Sequence, residues 1–278
     1  MALFLGIDGG GTGCRAAIAD ASGQVLGRGQ AGPANIASDP DTALVNILAA
    51  THAALETLRA DASQLHAVLG LAGANVPDCA ARLAAALPFA TVRVKSDALV
   101  AVAGALQAAD GIVAALGTGS VFAVQRAGNV RQIGGWGFIL GDEGSGAWLG
   151  RALLAAALRA TDGFATITPL LRSVLDLHGG AAGIVAFAQS ARPADFATLA
   201  PQILASDDPA AEVLCARATR DIAAAIDLLQ AGEALPVVFL GGLGADHAGR
   251  LQGRWPVRAP LGTGLDGALW LARQEAIA

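Results

Sequence analysis

Apolar runs separated by glycine-rich turns form the clearest pattern in this sequence. Two such runs, residues 3–8 and 14–19, flank a glycine turn at residues 9–12. The same arrangement recurs at residues 112–124, around a turn at residues 117–120. Short apolar runs on both sides of a glycine turn are typical of β-hairpins, because glycine adopts the positive φ angles that tight turns need. The pattern therefore predicts two related hairpins.

The chain around the first hairpin predicts a complete α/β unit. Asp39 and Pro40 are typical of a helix N-cap and a first helical residue, and apolar residues follow them at three- and four-residue steps. Strand-like and helical segments then alternate as far as residue 106, which gives the order βββαβαβα. The predicted elements are strands at 3–8, 14–19, 24–29, 65–71 and 90–94 and helices beginning at Pro40, at 78–87 and at 98–106.

The second hairpin opens a second lobe of the same plan, with insertions. Each lobe is thus predicted to hold a mixed sheet with helices on its faces, and residues 162–209 predict an all-helical insertion. We expect an N-terminal lobe of residues 1–107, a C-terminal lobe of residues 108–264, and a last helix, residues 265–278, that packs back on the first lobe. The predicted elements are strands at 112–116, 121–125, 130–133 and 237–240 and helices at 145–160, 209–231 and 265–276.

Composition and charge exclude several classes of protein. Hydrophobic residues make up 54% of the 278 residues, but no apolar run is long enough to indicate a transmembrane helix. A net charge of −5 without a basic cluster argues against nucleic acid or an anionic membrane as a partner, which leaves small molecules. No signal-peptide pattern precedes the first strand, so a cytoplasmic protein is expected. Cys14, Cys79 and Cys215 have neither disulfide nor zinc spacing and are expected to be buried, reduced thiols.

The glycine turns predict phosphate binding by backbone groups. A Walker-type loop is excluded because the only lysine, Lys95, follows no glycine-rich loop. Backbone N–H groups, hydroxyls and a metal ion must then neutralise the phosphates, and Asp8 is the expected ligand of Mg²⁺. A third turn, residues 241–244, lies between a strand and a helix, where α/β folds bind ligands. Residues 262–267 fit the dinucleotide pattern, but too few residues follow for the acidic ribose ligand, so these glycines are predicted to shape the entry into the last helix.

The order of the three turns resembles that of the nucleotide-binding motifs in the actin, Hsp70 and sugar kinase superfamily. More narrowly, the chain resembles the amino-sugar kinases of the BadF/BadG ATPase group, and residues 184–204 look more like the glucosamine kinases than the N-acetylglucosamine kinases. The resemblance implies a two-lobed ribonuclease H-like (actin-like ATPase) fold that binds ATP and Mg²⁺, with the sugar between the lobes, and it makes a homodimer plausible. The motifs that carry it are residues 8–12, 71–74, 96–98, 117–120, 134–137, 141–146 and 241–244. The implied nucleotide-binding residues are Gly10, Gly11, Thr12, Thr118, Gly119, Gly241, Gly242 and Gly244.

The same resemblance implies a sugar site. Asp97 would accept the proton of the sugar 6-hydroxyl while that oxygen attacks the γ-phosphate of ATP. Further sugar contacts are implied at Asn35, Asn75, Gly135, Trp136 and Asp142. The residues themselves leave structural roles open: a helix N-cap for Asp97 and for Asp142, turn chemistry for Asn35, and a core position for Trp136.

The leading hypothesis is an ATP-dependent hexosamine kinase that makes the 6-phosphate of glucosamine or N-acetylglucosamine. The alternative within the same group is an iron–sulfur ATPase activator of a radical dehydratase or benzoyl-CoA reductase. Such an activator needs cysteines in the second lobe, and none lies between Cys79 and Cys215. A third alternative, an Hsp70- or actin-like module, has no room for a peptide-binding domain. The sequence leaves open whether the sugar carries a free amine or an N-acetyl group.

Overall fold

The computed structural model describes residues 2–275, without the side chains of Pro77 and Glu275, and it forms two compact units. Unit 1 takes the chain up to residue 109 and from residue 259 onwards, and unit 2 takes residues 110–258. The predicted end of the last helix, residues 276–278, lies outside the described residues. The strands are β1 (Leu3–Gly9), β2 (Cys14–Ala19), β3 (Val25–Ala31), β4 (Leu65–Leu71), β5 (Thr91–Ser96), β6 (Gly111–Leu116), β7 (Ser120–Arg126), β8 (Asn129–Gly134) and β9 (Val237–Leu240). The α-helices are α1 (Pro40–Leu55), α2 (Pro77–Ala86), α3 (Asp97–Leu106), α4 (Gly146–Thr161), α5 (Pro169–His178), α6 (Ala181–Ser190), α7 (Pro193–Ala197), α8 (Ala200–Leu204), α9 (Pro209–Gln230), α10 (Gly244–Arg250) and α11 (Gly264–Glu275).

Unit 1 has the predicted βββαβαβα order. Its sheet runs β3-β2-β1-β4-β5, with β1, β2 and β3 antiparallel and β4 and β5 parallel to β1. Asp39 caps α1 as predicted, because its side chain accepts the Thr42 amide at 3.1 Å. Strand alternation sends Leu5 and Ile7 into the core with α1, and Phe4 into the core with α3 and α11. The sheet is therefore covered by helices on both faces.

Helix α11 lies unusually close to its neighbours in unit 1, and glycines make this possible. A Cβ at Gly6 on β1 would lie 2.5 Å from the backbone nitrogen of Leu269. A Cβ at Gly104 on α3 would overlap the carbonyl oxygen of Thr263, and one at Gly267 would overlap that of Val100. The glycines at residues 262–267 thus serve helix entry and packing. The side chains of Thr263 and Asp266 also exchange hydrogen bonds with each other's backbone N–H at this entry, at 2.8 and 3.3 Å.

Unit 2 repeats the three-stranded antiparallel part of unit 1 but departs from the rest of the predicted order. Its sheet runs β8-β7-β6-β9, and β9 is the one strand that pairs parallel to β6 in the described chain. The fifth strand of the predicted plan is reduced to a single bridge between Val237 and Val257, after which the chain enters unit 1. Helices α5–α8 occupy the segment predicted to be helical, and they share one apolar core with α4 and α9.

Two further expectations can be compared with the structure. Within residues 2–275 no single helix has both the length and the apolarity to cross a membrane, and only α5 and α6 taken together, bent by 67°, reach that limit. Cys14 and Cys215 are buried and Cys79 is partly buried, and all three are free thiols. Burial raises the pKa of the Cys14 thiol to about 12, which keeps it protonated.

The close contact between α3 and α11 predicts that adding one methyl group at Gly267 lowers the stability of unit 1. Gly267→Ala should destabilise unit 1 by about 3 kcal/mol, because the backbone of α3 would have to move. Gly249→Ala is the matched control: a Cβ there meets nothing within 4 Å, and alanine should stabilise this helical position by up to about 1 kcal/mol. Urea denaturation of both variants measures the difference. Equal midpoints for the two variants would contradict the packing described here.

Candidate active site

The first glycine turn presents open backbone to solvent. It is closed by a 2.9 Å hydrogen bond from the Gly10 N–H to the Gly13 carbonyl. A Cβ at Gly10 or Gly11 would meet nothing within 4 Å. In the described structure the N–H groups of Gly11 and Thr12 donate to no other group. Unpaired N–H groups in a glycine turn attract anions, so this turn can receive a phosphate.

Asp8 lies at the end of β1, beside this turn. The Arg15 guanidinium donates to one of its carboxylate oxygens at 2.6 Å, and the two residues are direct cross-strand partners. Burial raises the pKa of the Asp8 carboxyl, the Arg15 guanidinium opposes that rise, and the nearby Asp97 carboxylate adds to it. The first residue of α11 is also close, since a Cβ at Gly264 would lie 3.2 Å from the same carboxylate. Asp8 is therefore a largely buried acid with one fixed cationic partner.

The residues around Asp8 fit a magnesium ion that is shared with phosphates. Within the described residues no group of three or more histidines, cysteines or acids could hold a metal by itself. Magnesium in phosphoryl-transfer sites typically uses one or two carboxylates, with phosphate oxygens and water completing its shell. A single partly buried carboxylate next to an open phosphate turn matches that mode.

Arg15 is a candidate functional residue that the sequence analysis missed. Lysines alone were expected to neutralise phosphates, and the arginines of the chain were not considered. The pairing of Arg15 with Asp8 depends on the register of the hairpin, and the predicted turn at residues 9–12 is centred one residue before the observed one, so it did not indicate this pair. The Arg15 side chain is 60% exposed despite the ion pair, so it remains accessible to a ligand.

Asp97 directly follows the carboxyl end of β5. Because β5 runs parallel to β1, Asp97 lies on the same side of the sheet as Asp8, which is near the carboxyl end of β1. Helix α3 begins at Asp97 itself, and its N-cap is Ser96, whose hydroxyl accepts the Leu99 N–H at 3.3 Å. The proposed capping role of Asp97 is therefore wrong. One carboxylate oxygen of Asp97 accepts the N–H of the next residue at 2.8 Å, and the residue is exposed. Its carboxylate is available to a bound molecule.

Asn35 is held next to the first turn. The N–H of Ala34 donates to the Gly10 carbonyl at 2.8 Å, which ties this loop to the turn. The side-chain oxygen of Asn35 accepts the N–H groups of Ala37 at 3.0 Å and Ser38 at 3.2 Å, so the turn chemistry is present. Its amide nitrogen donates to no group in the described structure and stays free for a ligand. Asn75 is exposed and makes no side-chain hydrogen bond within the described residues.

In unit 2 the second and third glycine turns are joined directly. The Leu243 N–H donates to the Leu116 carbonyl at 3.0 Å. A Cβ at Gly241, where φ is +84°, would overlap that same carbonyl oxygen, so only glycine allows this approach. Gly244 is the first residue of α10, and its N–H closes the third turn on the Gly241 carbonyl at 3.1 Å. The structure thus brings two of the predicted nucleotide-binding turns together.

The second turn is also bound to α4 and leaves donors free. The N–H groups of Gly146 and Ala147, at the start of α4, donate to the carbonyls of Gly117 at 2.8 Å and Thr118 at 3.1 Å. The N–H groups of Thr118, Gly119 and Gly242 donate to no group in the described part of unit 2. As in unit 1, the carbonyls are occupied by the protein while N–H groups remain available to an anion.

Asp142 lies against the second turn. It is 8% exposed, accepts the Ser120 N–H at 3.3 Å, and would be 2.9 Å from a Cβ at Gly119. Burial raises the pKa of the Asp142 carboxyl, the Ser120 hydrogen bond opposes that rise, and the Glu143 carboxylate adds to it. The N-cap of α4 is Ser145, so the proposed capping role of Asp142 is wrong. Asp142 also adopts a positive φ of 62°, which is uncommon outside glycine, asparagine and aspartate.

Gly135 and Trp136 follow β8 on the same side of the second turn. Gly135 has a φ of +72°, and its N–H donates to the Ser120 carbonyl at 3.1 Å. Trp136 is 76% exposed, so the core position that the sequence left open is wrong. Unit 2 therefore places Thr118, Gly119, Gly135 and Asp142 around one hydrogen-bonded turn.

Comparison with known proteins identifies the family to which this constellation of turns belongs. A model of the BadF/BadG/BcrA/BcrD ATPase family matches residues 5–250. The chain belongs to this family. The resemblance found in the sequence is thereby confirmed.

Members and neighbours of the family match the chain over nearly its full length. The glucosamine kinase GspK of Vibrio cholerae is 32% identical, in an alignment that covers 98% of this chain and 96% of the relative. The crystal structure of a candidate N-acetylglucosamine kinase from Chromobacterium violaceum has a TM-score of 0.87 at 33% identity and covers 98% of this chain and 99% of its own. A ROK family glucokinase from Streptomyces griseus shares the fold, with a TM-score of 0.58 at 21% identity over 98% of this chain and 99% of its own. The predicted two-lobed sugar-kinase fold class is confirmed.

The raised pKa of Asp142 predicts a substitution that stabilises the protein. The cost of this charge is absent at pH values below 3.8 and appears as pH rises through the raised pKa. Asp142→Asn should therefore raise the Tm by about 2 °C at pH 7 and leave it nearly unchanged at pH 3.5. Differential scanning calorimetry at both pH values measures this effect.

Asp142→Ala serves as the control for that experiment. Alanine leaves the Ser120 N–H without a partner and is strained at a φ of +62°, so its Tm should fall at both pH values. An Asp142→Asn variant with the same offset from the wild type at pH 3.5 and pH 7 would show that burial of the charge is not the cause.

Proposed function

We propose that this protein is an ATP-dependent amino-sugar kinase that transfers the γ-phosphate of ATP to the 6-hydroxyl of glucosamine or N-acetylglucosamine. The observation that carries the proposal is the edge of the unit 1 sheet where β1 and β5 end, with an open phosphate turn, the partly buried Asp8 and the accessible Asp97. Phosphoryl transfer needs these parts, because it depends mainly on alignment and on stabilisation of charge. The full-length similarity to a glucosamine kinase supports the substrate class.

The nucleotide phosphates would be held by backbone donors. In unit 1 these are the N–H groups of Gly11 and Thr12, and in unit 2 those of Thr118, Gly119 and Gly242. Gly10, Gly241 and Gly244 shape the turns and keep side chains out of the way. Asp8 would hold Mg²⁺, which neutralises charge on the phosphate oxygens during transfer. Arg15, whose side chain is 60% exposed beside Asp8 and the first turn, would donate to a phosphate oxygen.

The reacting sugar would be bound by polar groups next to these turns. The free amide nitrogen of Asn35, the exposed side chain of Asn75, the carboxylate of Asp142 and the backbone at Gly135 and Trp136 are the proposed contacts with the sugar. Asp97 accepts the proton of the sugar 6-hydroxyl. As it does so, the 6-hydroxyl oxygen forms a bond to the γ-phosphorus, and the bond between that phosphorus and the β–γ bridging oxygen breaks. The products are the sugar 6-phosphate and ADP.

The alternative function in this family, an iron–sulfur ATPase activator, is not favoured. A cluster held between two subunits needs several cysteine ligands from each copy. Unit 2 contains Cys215 as its one cysteine, and that residue is buried. Burial also raises the pKa of the Cys215 thiol, which opposes the thiolate form that binds iron.

The proposal also covers the location of the protein and its partners. We place the protein in the cytoplasm, with ATP and an amino sugar as its small-molecule partners and neither nucleic acid nor membrane as a partner. The similar proteins leave both glucosamine and N-acetylglucosamine as candidate substrates, because one relative is named as a glucosamine kinase and one structural neighbour as a candidate N-acetylglucosamine kinase.

Neighbouring residues at the start of α3 allow the role of Asp97 to be tested cleanly. Asp97→Asn should lower kcat at least about 100-fold with little change in the KM of sugar or ATP, because asparagine keeps the shape but cannot accept the proton. Ser96→Ala is the control: it should lower stability by about 1 kcal/mol through loss of the N-cap and leave kcat nearly unchanged. ADP release is measured with glucosamine and with N-acetylglucosamine. A retained kcat in Asp97→Asn would remove the residue from the mechanism.

A further inference from the structure

A large cavity in unit 2 adjoins the segment that carries proposed sugar contacts. Its volume is about 1000 Å³, and its walls come from α4, α6, Phe196 and residues 136–140. We call it the α4/α6 hollow. Pockets that bind whole drug-sized molecules hold roughly 300–1,000 Å³, so the hollow has room for far more than one sugar ring. No step of the proposed reaction uses this space.

The lining of the hollow is almost wholly apolar. Representative lining residues are Leu154, Ala155, Leu158, Val185 and Ala188. Of the described residues in the lining, Arg151 is the one that carries a charge, and it is already engaged. It donates to the Phe138 carbonyl at 3.1 Å, and its guanidinium carbon lies 4.9 Å from the centre of the Phe138 ring. A group that enters the hollow would therefore meet mainly hydrocarbon.

Trp136 connects the hollow with the proposed sugar site. It lines the hollow, and its backbone is a proposed sugar contact. The segment that follows folds back, because the N–H of Gly141 donates to the Gly137 carbonyl at 2.8 Å. A Cβ at Gly141 would lie 3.3 Å from the Cβ of Trp136. The next residue is Asp142, a second proposed sugar contact, so sugar contacts and hollow are neighbours within unit 2.

Charge decides which substituent of an amino sugar suits the hollow. A free amine takes up a proton and becomes a cation, and a cation is costly to place against an apolar surface without an acidic partner. The described lining contains neither aspartate nor glutamate. Acylation turns the amine into a neutral amide and attaches a hydrocarbon chain, which gains free energy by leaving water for an apolar wall. An N-acyl chain therefore matches the lining in both charge and polarity.

We infer that the α4/α6 hollow receives the acyl chain of an N-acylated amino sugar and that it favours acyl chains longer than acetyl. The inference rests on the proposed function and names the substrate class of its sugar site. An acetyl group ends in a single methyl and would leave most of the hollow unfilled. Full burial of one further CH₂ group improves binding about fourfold, so a longer chain has much to gain there.

The chain-length dependence of the reaction is the first measurement. The substrates are glucosamines that carry an N-acetyl, N-butanoyl or N-hexanoyl group, and ADP release is followed with ATP and Mg²⁺. The hollow is open on one side, so each added CH₂ group should improve KM about twofold, half of the full effect in free energy. The KM of the N-hexanoyl sugar should thus be at least about 10-fold below that of the N-acetyl sugar. Hexyl glucosaminide, with the chain on the glycosidic oxygen, is measured in parallel.

Two substitutions place a charge in the hollow. Ala155→Arg changes its α4 wall and Ala188→Glu its α6 wall, and both positions are exposed, so the fold should be kept. Each variant should lose the advantage of the hexanoyl chain and phosphorylate the N-acetyl sugar nearly as the wild type does. Ala186→Glu is the matched control: it makes the same change on α6 at an exposed position outside the lining, and it should keep the wild-type dependence on chain length. Circular dichroism confirms that all variants are folded.

Each result decides the proposal. A wild type whose KM for the N-hexanoyl sugar equals or exceeds that for the N-acetyl sugar overturns it and leaves the proposed kinase activity standing. An advantage of the hexanoyl chain that survives in both Ala155→Arg and Ala188→Glu also overturns it, because the chain would then lie elsewhere. A matching advantage of hexyl glucosaminide would overturn the assignment to the N-acyl chain.

Failure of the proposed function is recognised separately. If no amino sugar is phosphorylated, that function is wrong, and titration calorimetry with N-hexanoylglucosamine decides the role of the hollow. Binding that is weakened in Ala188→Glu but not in Ala186→Glu supports an acyl site, and absence of binding to the wild type overturns it.

Discussion

Phosphate recognition by backbone N–H groups is the constraint on which the rest of the site depends. Backbone N–H groups reach a phosphate only when the turn lies close to it, and a side chain on Gly10, Gly11 or Gly242 would stand in that space. The protein fills the carbonyl side of these turns with its own hydrogen bonds, from the start of α4 and from the Ala34 loop, and leaves donors free. The carbonyl groups of the turns are thereby satisfied within the protein, while the N–H groups remain available to an anion.

A direct contact in each unit joins a nucleotide turn to a proposed sugar-binding residue. In unit 1 the Gly10 carbonyl holds the loop that carries Asn35, and in unit 2 Asp142 lies against Gly119. Burial raises the pKa of Asp142 and of Asp8, so the free protein bears the cost of two charges that its proposed ligands would use. Sites of this kind give up stability for function. In each unit, a change in the phosphate turn should therefore also shift the neighbouring sugar-binding residue.

The sequence predicted unit 1 well because local signals and tertiary structure agree there. The Asp39–Pro40 helix start, the glycine hairpin and the alternation of strands and helices all indicate the observed order, and the family resemblance was confirmed. All four strands that the sequence indicates for unit 2 are present, but the plan of unit 1 is not repeated in full, because β9 is followed by one short helix and the chain then enters unit 1. The N-cap of α3 is Ser96, one residue before Asp97, and the N-cap of α4 is Ser145, three residues after Asp142. Serine and aspartate cap helices equally well, so only the backbone geometry decides between them. The exposure of Trp136 and the pairing of Arg15 with Asp8 depend on contacts that residue type alone does not indicate.

The central claim is that ATP turnover by this chain requires an amino sugar. The most direct test is ADP release with ATP and Mg²⁺ in four parallel reactions that contain glucosamine, N-acetylglucosamine, glucose or no sugar. The account predicts rapid release with one of the two amino sugars and only background release with no sugar. Equal release in all four reactions would contradict it, because the nucleotide would then be hydrolysed without a sugar acceptor.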